Sequence, residues 1–457
     1  MSGTARACSG APSLTSESSV APEPHPVAVP QPLLLRALYV CYLSLDDPLV
    51  DTQVVAYLRG LAAAGHTIHL LTFETRTLTR AELQERRRAL AADGIVSHHL
   101  RYHKAPSLPA TVYDTWAGAA FAALLMRRHR LCAFHARNHV PAAMWLLLRR
   151  LYPASRRPAF IFDVRGLMAQ EYVDAGRWQH GGAPYRLTQA VESAALRVAD
   201  GTVVLTERAR DLLFATVPRD TTVPRDTTAP RDMAAPGNRV RVIPCCADTD
   251  LLAAAPGVRE RVRAELGIED AFVLVYVGKF GGWYLEREMA EFFAVLRRGR
   301  ADAHFLILTQ GDRTAIEVAL QDAGAPAGSF TIASAPHGRV GDFLAAADAA
   351  ISFIEPSPSK IASSPTKVGE YLAAGLPIVA TAGVGDLDSL LSPVGVLVRE
   401  HTPDAYADAV ARLEALVSAP GVAARCRALA ERELSLSGVG IPRYRALYAS
   451  VAAERRA

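Results

Sequence analysis

The sequence predicts an α/β protein made of two doubly wound parallel sheets. Three observations lead there. Short apolar runs alternate with longer helical patterns along most of the chain. The alternation restarts after Pro244, so two similar series follow one another. The 457 residues also exceed what a single hydrophobic core organises.

In the first series, Leu35–Leu43 (LRALYVCYL) reads as a buried strand, and Asp51–Ala64 as a helix closed by Gly65. Thr67–Phe73, Leu131–Ala136, Ala159–Val164 and Gly201–Leu205 read as further strands. In the second series the strands are Phe272–Val277, His304–Leu308, Phe330–Ala333, Ala349–Ile354 and Ile378–Thr381, and the chain from about Pro403 reads as helix. Thr366–Ala374 is a short helix between two breakers. Pro365 fits its first turn, where a missing N–H is harmless, and Gly375 suits a left-handed residue at its end. Lys367 and Glu370 then share one face, which a surface ion pair explains as well as a ligand does.

These elements divide the chain. Residues 1–32 are rich in Ser, Ala and Pro and read as a disordered leader. Residues 33–243 and 244–430 are the two domains, and 431–457 a C-terminal helix that could pack back on the first. Residues 216–237 carry a period of six (VPRDTT, VPRDTT, APRDMA), too short for a solenoid and too proline-rich for helix. They read as a mobile surface loop.

Composition narrows the class. A net charge of +4 does not argue for nucleic-acid binding. The six cysteines have no metal-like spacing, and adjacent Cys245 and Cys246 suit a disulfide poorly, so a reducing, cytoplasmic setting is expected. No apolar run approaches the roughly 20 residues of a spanning helix. Lysine is scarce: Lys104, Lys279, Lys360 and Lys367 are all there are.

Sheets of this kind bind ligands beyond the carboxyl ends of their strands, and two of them offer the cleft between. Polar groups at strand ends are therefore the candidates. Ser44–Leu58 has no glycine-rich phosphate fingerprint, which disfavours a dinucleotide. Asp51 or Thr52 can cap its helix, and Gln53 is placed on the acceptor side or in the cleft. After Phe134 come His135, Arg137, Asn138 and His139. His135 is a candidate catalytic group, Arg137 and Asn138 cleft residues, and no zinc-type helical pattern accompanies the histidines. Asp163 lies at the end of the next strand and Arg165 and Glu171 follow it; Asp163 and Glu171 are placed on the acceptor side or in the cleft. Arg165 suits a phosphate or carboxylate and is the second catalytic candidate, with a structural Asp163–Arg165 pair as the alternative. In YVGKFGGWY, Gly278 lets the backbone approach a ligand and Lys279 adds a point charge. Trp145–Arg157, apolar and then basic, reads as a core helix with a solvated end, or as a peripheral contact with an anionic membrane.

Taken together, YLRGLAAAGHTIHLLTFE, HARNHVPAAM, DVRGL, VVLTERAR, VIPCCADTDLL, YVGKFGGWY, AAADAAISFIEPS and PTKVGEYLAAGLPIVAT resemble successive landmarks of the retaining GT-B glycosyltransferases of family 4. The resemblance covers about residues 35 to 435. It implies two Rossmann-like domains facing a cleft, a UDP- or GDP-sugar donor on the C-terminal one, and a glycan, lipid-linked or small-molecule acceptor on the N-terminal one. It implies sugar transfer with retention and no cofactor or metal. The family carries two glutamates separated by seven residues. The second matches Glu370, implied to hold the ribose, and the first falls on Ala362. Of the family's basic pair on the diphosphate, Lys279 matches one member and Tyr284 stands at the other. Pro365, Thr366 and Lys367 complete the implied donor site, with Lys360 or Arg165 as further cations. A nucleotide-sugar 2-epimerase and a non-catalytic nucleotide-sugar-binding protein are the competing readings.

Overall fold

The structure, a computed structural model, describes residues 34–105, 107–214, 233–235, 238–252 and 255–455. Its first sheet contains β1 (Arg36–Cys41), β2 (Thr67–Glu74), β3 (Ile95–Arg101), β4 (Ala133–Arg137), β5 (Ala159–Asp163), β6 (Gly201–Val204), β7 (Met233–Ala235) and β8 (Asn238–Val242). The second contains β9 (Phe272–Val277), β10 (Ala303–Leu308), β11 (Phe330–Ala333), β12 (Ala349–Ser352), β13 (Ile378–Thr381) and β14 (Gly395–Val398).

The orders are β3-β2-β1-β4-β5-β6-β8-β7 and β11-β10-β9-β12-β13-β14. All pairings are parallel except β7 with β8. Both sheets therefore reverse their winding once, between β1 and β4 and between β9 and β12, and leave a crevice there. The central strands are buried on both faces and so read as unbroken apolar runs, as in β9, FVLVYV.

Four strands escape that signal. β3 (IVSHHLR) is an edge strand with only Ile95 fully buried, and β14 has four residues. β8 and β7 border the proline repeat. Residues 216–237 lie outside the described residues except for Met233–Ala235, which form β7 and correct the loop reading for those three. The leader, 1–32, also lies outside the described residues.

The first helical segment departs from its expected start. Asp47 caps it, accepting from Leu49 N at 2.9 Å, so neither Asp51 nor Thr52 is needed. A π-helical turn, Asp51–Val55, precedes the α-helix Ala56–Ala63 and buries Gln53. The C-terminal helical region is three helices: Pro403–Val417, Val422–Leu434 and Ile441–Glu454.

The chain passes between the domains twice, side by side. At Ala247 the outgoing strand donates to Leu434 O and accepts from Leu436 N, both at 2.8 Å. Gln53 and Tyr57 hold the same crossing, through Cys246 O at 3.2 Å and Pro244 O at 3.1 Å. The helix Ile441–Glu454 then packs against Ala56–Ala63 and β8 of the first domain. Gly60 permits this approach, because a Cβ there would lie 2.5 Å from Ile441.

Candidate functional site

The crevice of the second sheet is bordered by the turn after β9. Gly278 opens that turn with φ +121° and Gly281 and Gly282 continue it at +87° and +74°, backbone that favours glycine. Lys279 is exposed on the turn. The helix Thr366–Ala373 follows the loop after β12 and brings Lys367 against the same strand end. A Cβ at Gly278 would lie 3.3 Å from Lys367 Nζ. The ammonium donates to Tyr276 Oη at 2.8 Å and stands 4.0 and 3.8 Å from the ring centres of Tyr276 and Tyr284. Both rings offer their negative faces to the charge.

Lys367 is 7% exposed, so the surface-pair reading does not hold. Burial lowers its pKa to about 7, and the charge of Glu370 only partly opposes this. Tyr284, the position at which the resemblance implies a basic residue, instead supports the Lys367 ammonium through its ring. Pro365 is the cap residue ahead of the helix, with ψ 119°, and not part of its first turn. Thr366 opens the helix, Glu370 is half-buried, and Gly375 ends the segment at φ +86° as expected.

A second lysine lies where the domains meet. Lys360, in the short helix Pro358–Ala362, stands 3.9 Å above the Trp283 ring and 3.7 Å from Glu171 of the first domain. Burial lowers its pKa, while Glu171 and Asp174 oppose that shift. Asp174 accepts from Ser359 N at 3.0 Å, and Thr206 Oγ1 donates to Ile361 O at 2.8 Å. Arg208 donates to Gly383 O and Gly385 O, each at 3.0 Å. These contacts pin the segment carrying Ala362 to the first domain. Ala362 is 2% exposed and shares an apolar cluster with Phe162, Val164 and Val204. A glutamate there would bury a carboxylate among apolar side chains, a costly placement.

The first domain's candidates meet at the ends of β4 and β5. His135 is 0% exposed; its Nδ1 is 2.9 Å from Tyr448 Oη and its Nε2 is 3.8 Å from Asp163. Asp163 is equally buried and accepts from Tyr444 Oη at 2.8 Å and from Arg165 Nε at 3.0 Å. Arg165 Nη2 donates to Tyr444 Oη at 2.8 Å, while Nη1 has no hydrogen-bond partner among the described residues. Burial by itself would raise the Asp163 pKa; the Arg165 guanidinium and His135 override it and hold the carboxyl well below the usual range. Burial lowers the His135 pKa. Arg137 is buried nearby, and Asn138 takes φ +74° ahead of the helix His139–Leu148. His139 is engaged by Asn138 and Glu192 at 2.9 and 2.8 Å.

The structure thus gathers Gly278, Lys279 and Lys367 at one strand end, with Pro365 capping the adjoining helix and Thr366 and Glu370 on it. It gathers His135, Asp163 and Arg165 in a separate sealed network. Arg165, with two nitrogens spent on Asp163 and Tyr444, is anchored inward, away from the donor-site role of a further cation. Glu171 stands apart, against Lys360. Sequence reasoning missed Tyr276, Trp283, Tyr444 and Tyr448. The aromatic pair Tyr444 and Tyr448, spaced one helical turn apart, was the available signal.

Residues 271–415 match the family model described as Glycosyl transferases group 1. No curated protein sequence matches the chain. A glycosyltransferase from Rickettsia africae ESF-5 superposes with TM-score 0.65 at 13% identity, covering 92% of this chain and 98% of its own. Sucrose-phosphate synthase from Thermosynechococcus elongatus gives 0.62 at 16%, covering 91% and 100%. Anabaena Alr3699/HepE, solved with UDP, gives 0.64 at 12%, covering 90% and 99%, and has also been solved with UDP-glucose. The chain therefore has the GT-B fold, two Rossmann-like domains, and its second domain carries the glycosyltransferase group 1 match.

Proposed function

We propose that the chain is a retaining glycosyltransferase that takes a sugar from a UDP- or GDP-sugar and passes it to an acceptor hydroxyl. The observation that carries this is a buried lysine at the second sheet's crevice, held by two tyrosines against a glycine turn. The leaving group is a nucleoside diphosphate whose negative charge grows as the glycosidic bond breaks. Lys367 and Lys279 oppose that charge, helped by the N–H groups that open the helix at Thr366. Glu370 holds the ribose. Gln53, Arg137, Asn138 and Glu171 belong to the acceptor side or the cleft, and His135, Asp163 and Arg165 position that wall from within. No protein nucleophile, cofactor or metal takes part in the transfer. The working place is the cytoplasm, in polysaccharide, glycolipid or cell-envelope synthesis.

Thermal-shift and calorimetric titration with UDP, GDP and their sugars tests the reading. A nucleoside diphosphate should bind, and Lys279→Ala and Lys367→Ala should each weaken it. Unchanged affinity in both would sink the assignment. Ala362 favours a second reading, binding without transfer. Sugar transfer to any member of an acceptor panel excludes that alternative.

A peripheral membrane contact belongs to the same proposal, at a different place from the one expected. Trp145 is buried in the core, the helix carrying it ends at Leu148, and the basic stretch to Arg157 continues as two short 3₁₀ turns. The helix Ser107–Arg128 instead exposes Leu108, Val112, Tyr113 and Trp116, the last at 61%, and ends in Arg127 and Arg128. At 100° per residue these apolar side chains share one face. Among the described residues no helix is long and apolar enough to cross a membrane. The protein should pellet with anionic phospholipid vesicles more than with zwitterionic ones, and L108S with W116S should abolish the difference. Equal pelleting of variant and parent would remove this helix from the contact.

A further inference from the structure

Far from the cleft, three histidines converge at the outer edge of the first sheet. His69 lies on β2, where it pairs with Val96 of β3, and His98 stands two residues further along β3. The two are therefore diagonal neighbours on one face of the sheet. His129 follows the helix Ser107–Arg128, whose Phe121 ring also meets His98. His69 Nδ1 is 3.0 Å from His98 Nε2, and one ring nitrogen of each histidine lies within 4.8 Å of the other two. His69 is buried, while His98 and His129 are half-buried and keep one side open to water.

We propose that His69, His98 and His129 bind one divalent transition-metal ion of the zinc class, with water in the fourth position. The chemistry of the set fits. Imidazole suits such ions, and three imidazoles with an open site make a common tetrahedral arrangement. Zinc–nitrogen bonds of about 2.0–2.1 Å place ligand nitrogens about 3.3 Å apart in a tetrahedron, close to the 3.0 Å between His69 Nδ1 and His98 Nε2 and inside the 4.8 Å that bounds all three. Ligation needs the neutral ring. Arg36 and Arg87 also face these rings. The ion would clasp the edge strand β3 and the end of the covering helix to β2. It takes no part in sugar transfer, and so stands or falls apart from that reading. The competing account is a cluster of imidazoles that fills space between the sheet edge and the helix end.

The test uses the full chain, stripped with chelator and titrated with Co²⁺. One equivalent should produce the intense visible bands of tetrahedral cobalt, and Zn²⁺ should displace it. H98F, which keeps a ring in the stack, should lose the bands, and H99F should retain them. X-ray absorption on the unaltered zinc-loaded chain should show three imidazoles on the metal. Fewer than three imidazoles, no uptake, or bands that survive in H98F would each overturn the proposal.

Discussion

Replacing Lys367 by methionine should make the protein more stable and at the same time weaken its grip on a nucleoside diphosphate. The two effects share one cause. The ammonium sits 7% exposed between Tyr276 and Tyr284, and burial brings its pKa from 10.5 down to about 7. Each unit of depression corresponds to about 1.4 kcal/mol set against the charged form in the fold. Methionine fills a similar volume with no charge to desolvate, and Tyr276 Oη keeps Lys279 O as its acceptor. Unfolding temperature should therefore rise. The diphosphate loses a charged partner worth about 1.5–3 kcal/mol, an affinity loss of roughly 10- to 150-fold. A residue that served packing alone would move stability and leave affinity unchanged.

The pH dependence follows from the same shift. Between the folded value of about 7 and the unfolded 10.5, the unfolded chain binds the extra proton. Stability contributed by this group therefore rises with pH across that window. The methionine variant should lack the rise. Binding runs the other way, because a diphosphate favours the protonated lysine. Above pH 7, nucleoside diphosphate binding should draw in up to one proton, and affinity should fall as pH increases. Calorimetry in buffers of different ionisation enthalpy measures the uptake directly.

The second large effect is expected at Asp163. Asp163→Ala strips the buried Arg165 of its counter-charge and Tyr444 of its acceptor. Removing one partner of a buried pair typically costs about 3–5 kcal/mol. A urea unfolding series should show a loss of that size, and D163L with R165M should recover part of it by removing both charges. A loss of less than about 1 kcal/mol would mean that the network does not hold the strand ends together. The folded carboxyl is held below its unfolded value, so its contribution is complete above the ordinary carboxylate range, about 3.9. It is lost as pH falls from there toward the folded value.

The fold was legible in the sequence where burial left an unbroken apolar run. β1, β4, β5 and β9 are enclosed on both faces, and each announces itself. β3 was not legible, because an edge strand with two histidines and a serine carries no such period. The proposed donor side was partly legible, since Gly278, Lys279, Lys367 and Glu370 fall in short segments next to recognisable strands. What could not be read was environment. Nothing local to Lys367 states that Tyr276 and Tyr284 enclose it, and nothing near Arg165 points to Tyr444. The histidine cluster was invisible for a similar reason. His69, His98 and His129 come from three separate elements, and only strand register and helix docking bring them together.

The return of the helix Ile441–Glu454 to the first domain has a consequence for biosynthesis. Asp163 and Tyr444 are 281 residues apart. At ~5–20 residues per second, roughly 15–55 s separate their emergence from the ribosome. During that interval the nascent first domain holds an aspartate, an arginine and a histidine that lack two of their tyrosine partners, Tyr444 and Tyr448, and keep Tyr39. Its surface for the last helix, around Gly60 and β8, also stays uncovered. The first domain to be synthesised is therefore completed only after the second, once the helix Ile441–Glu454 has been made.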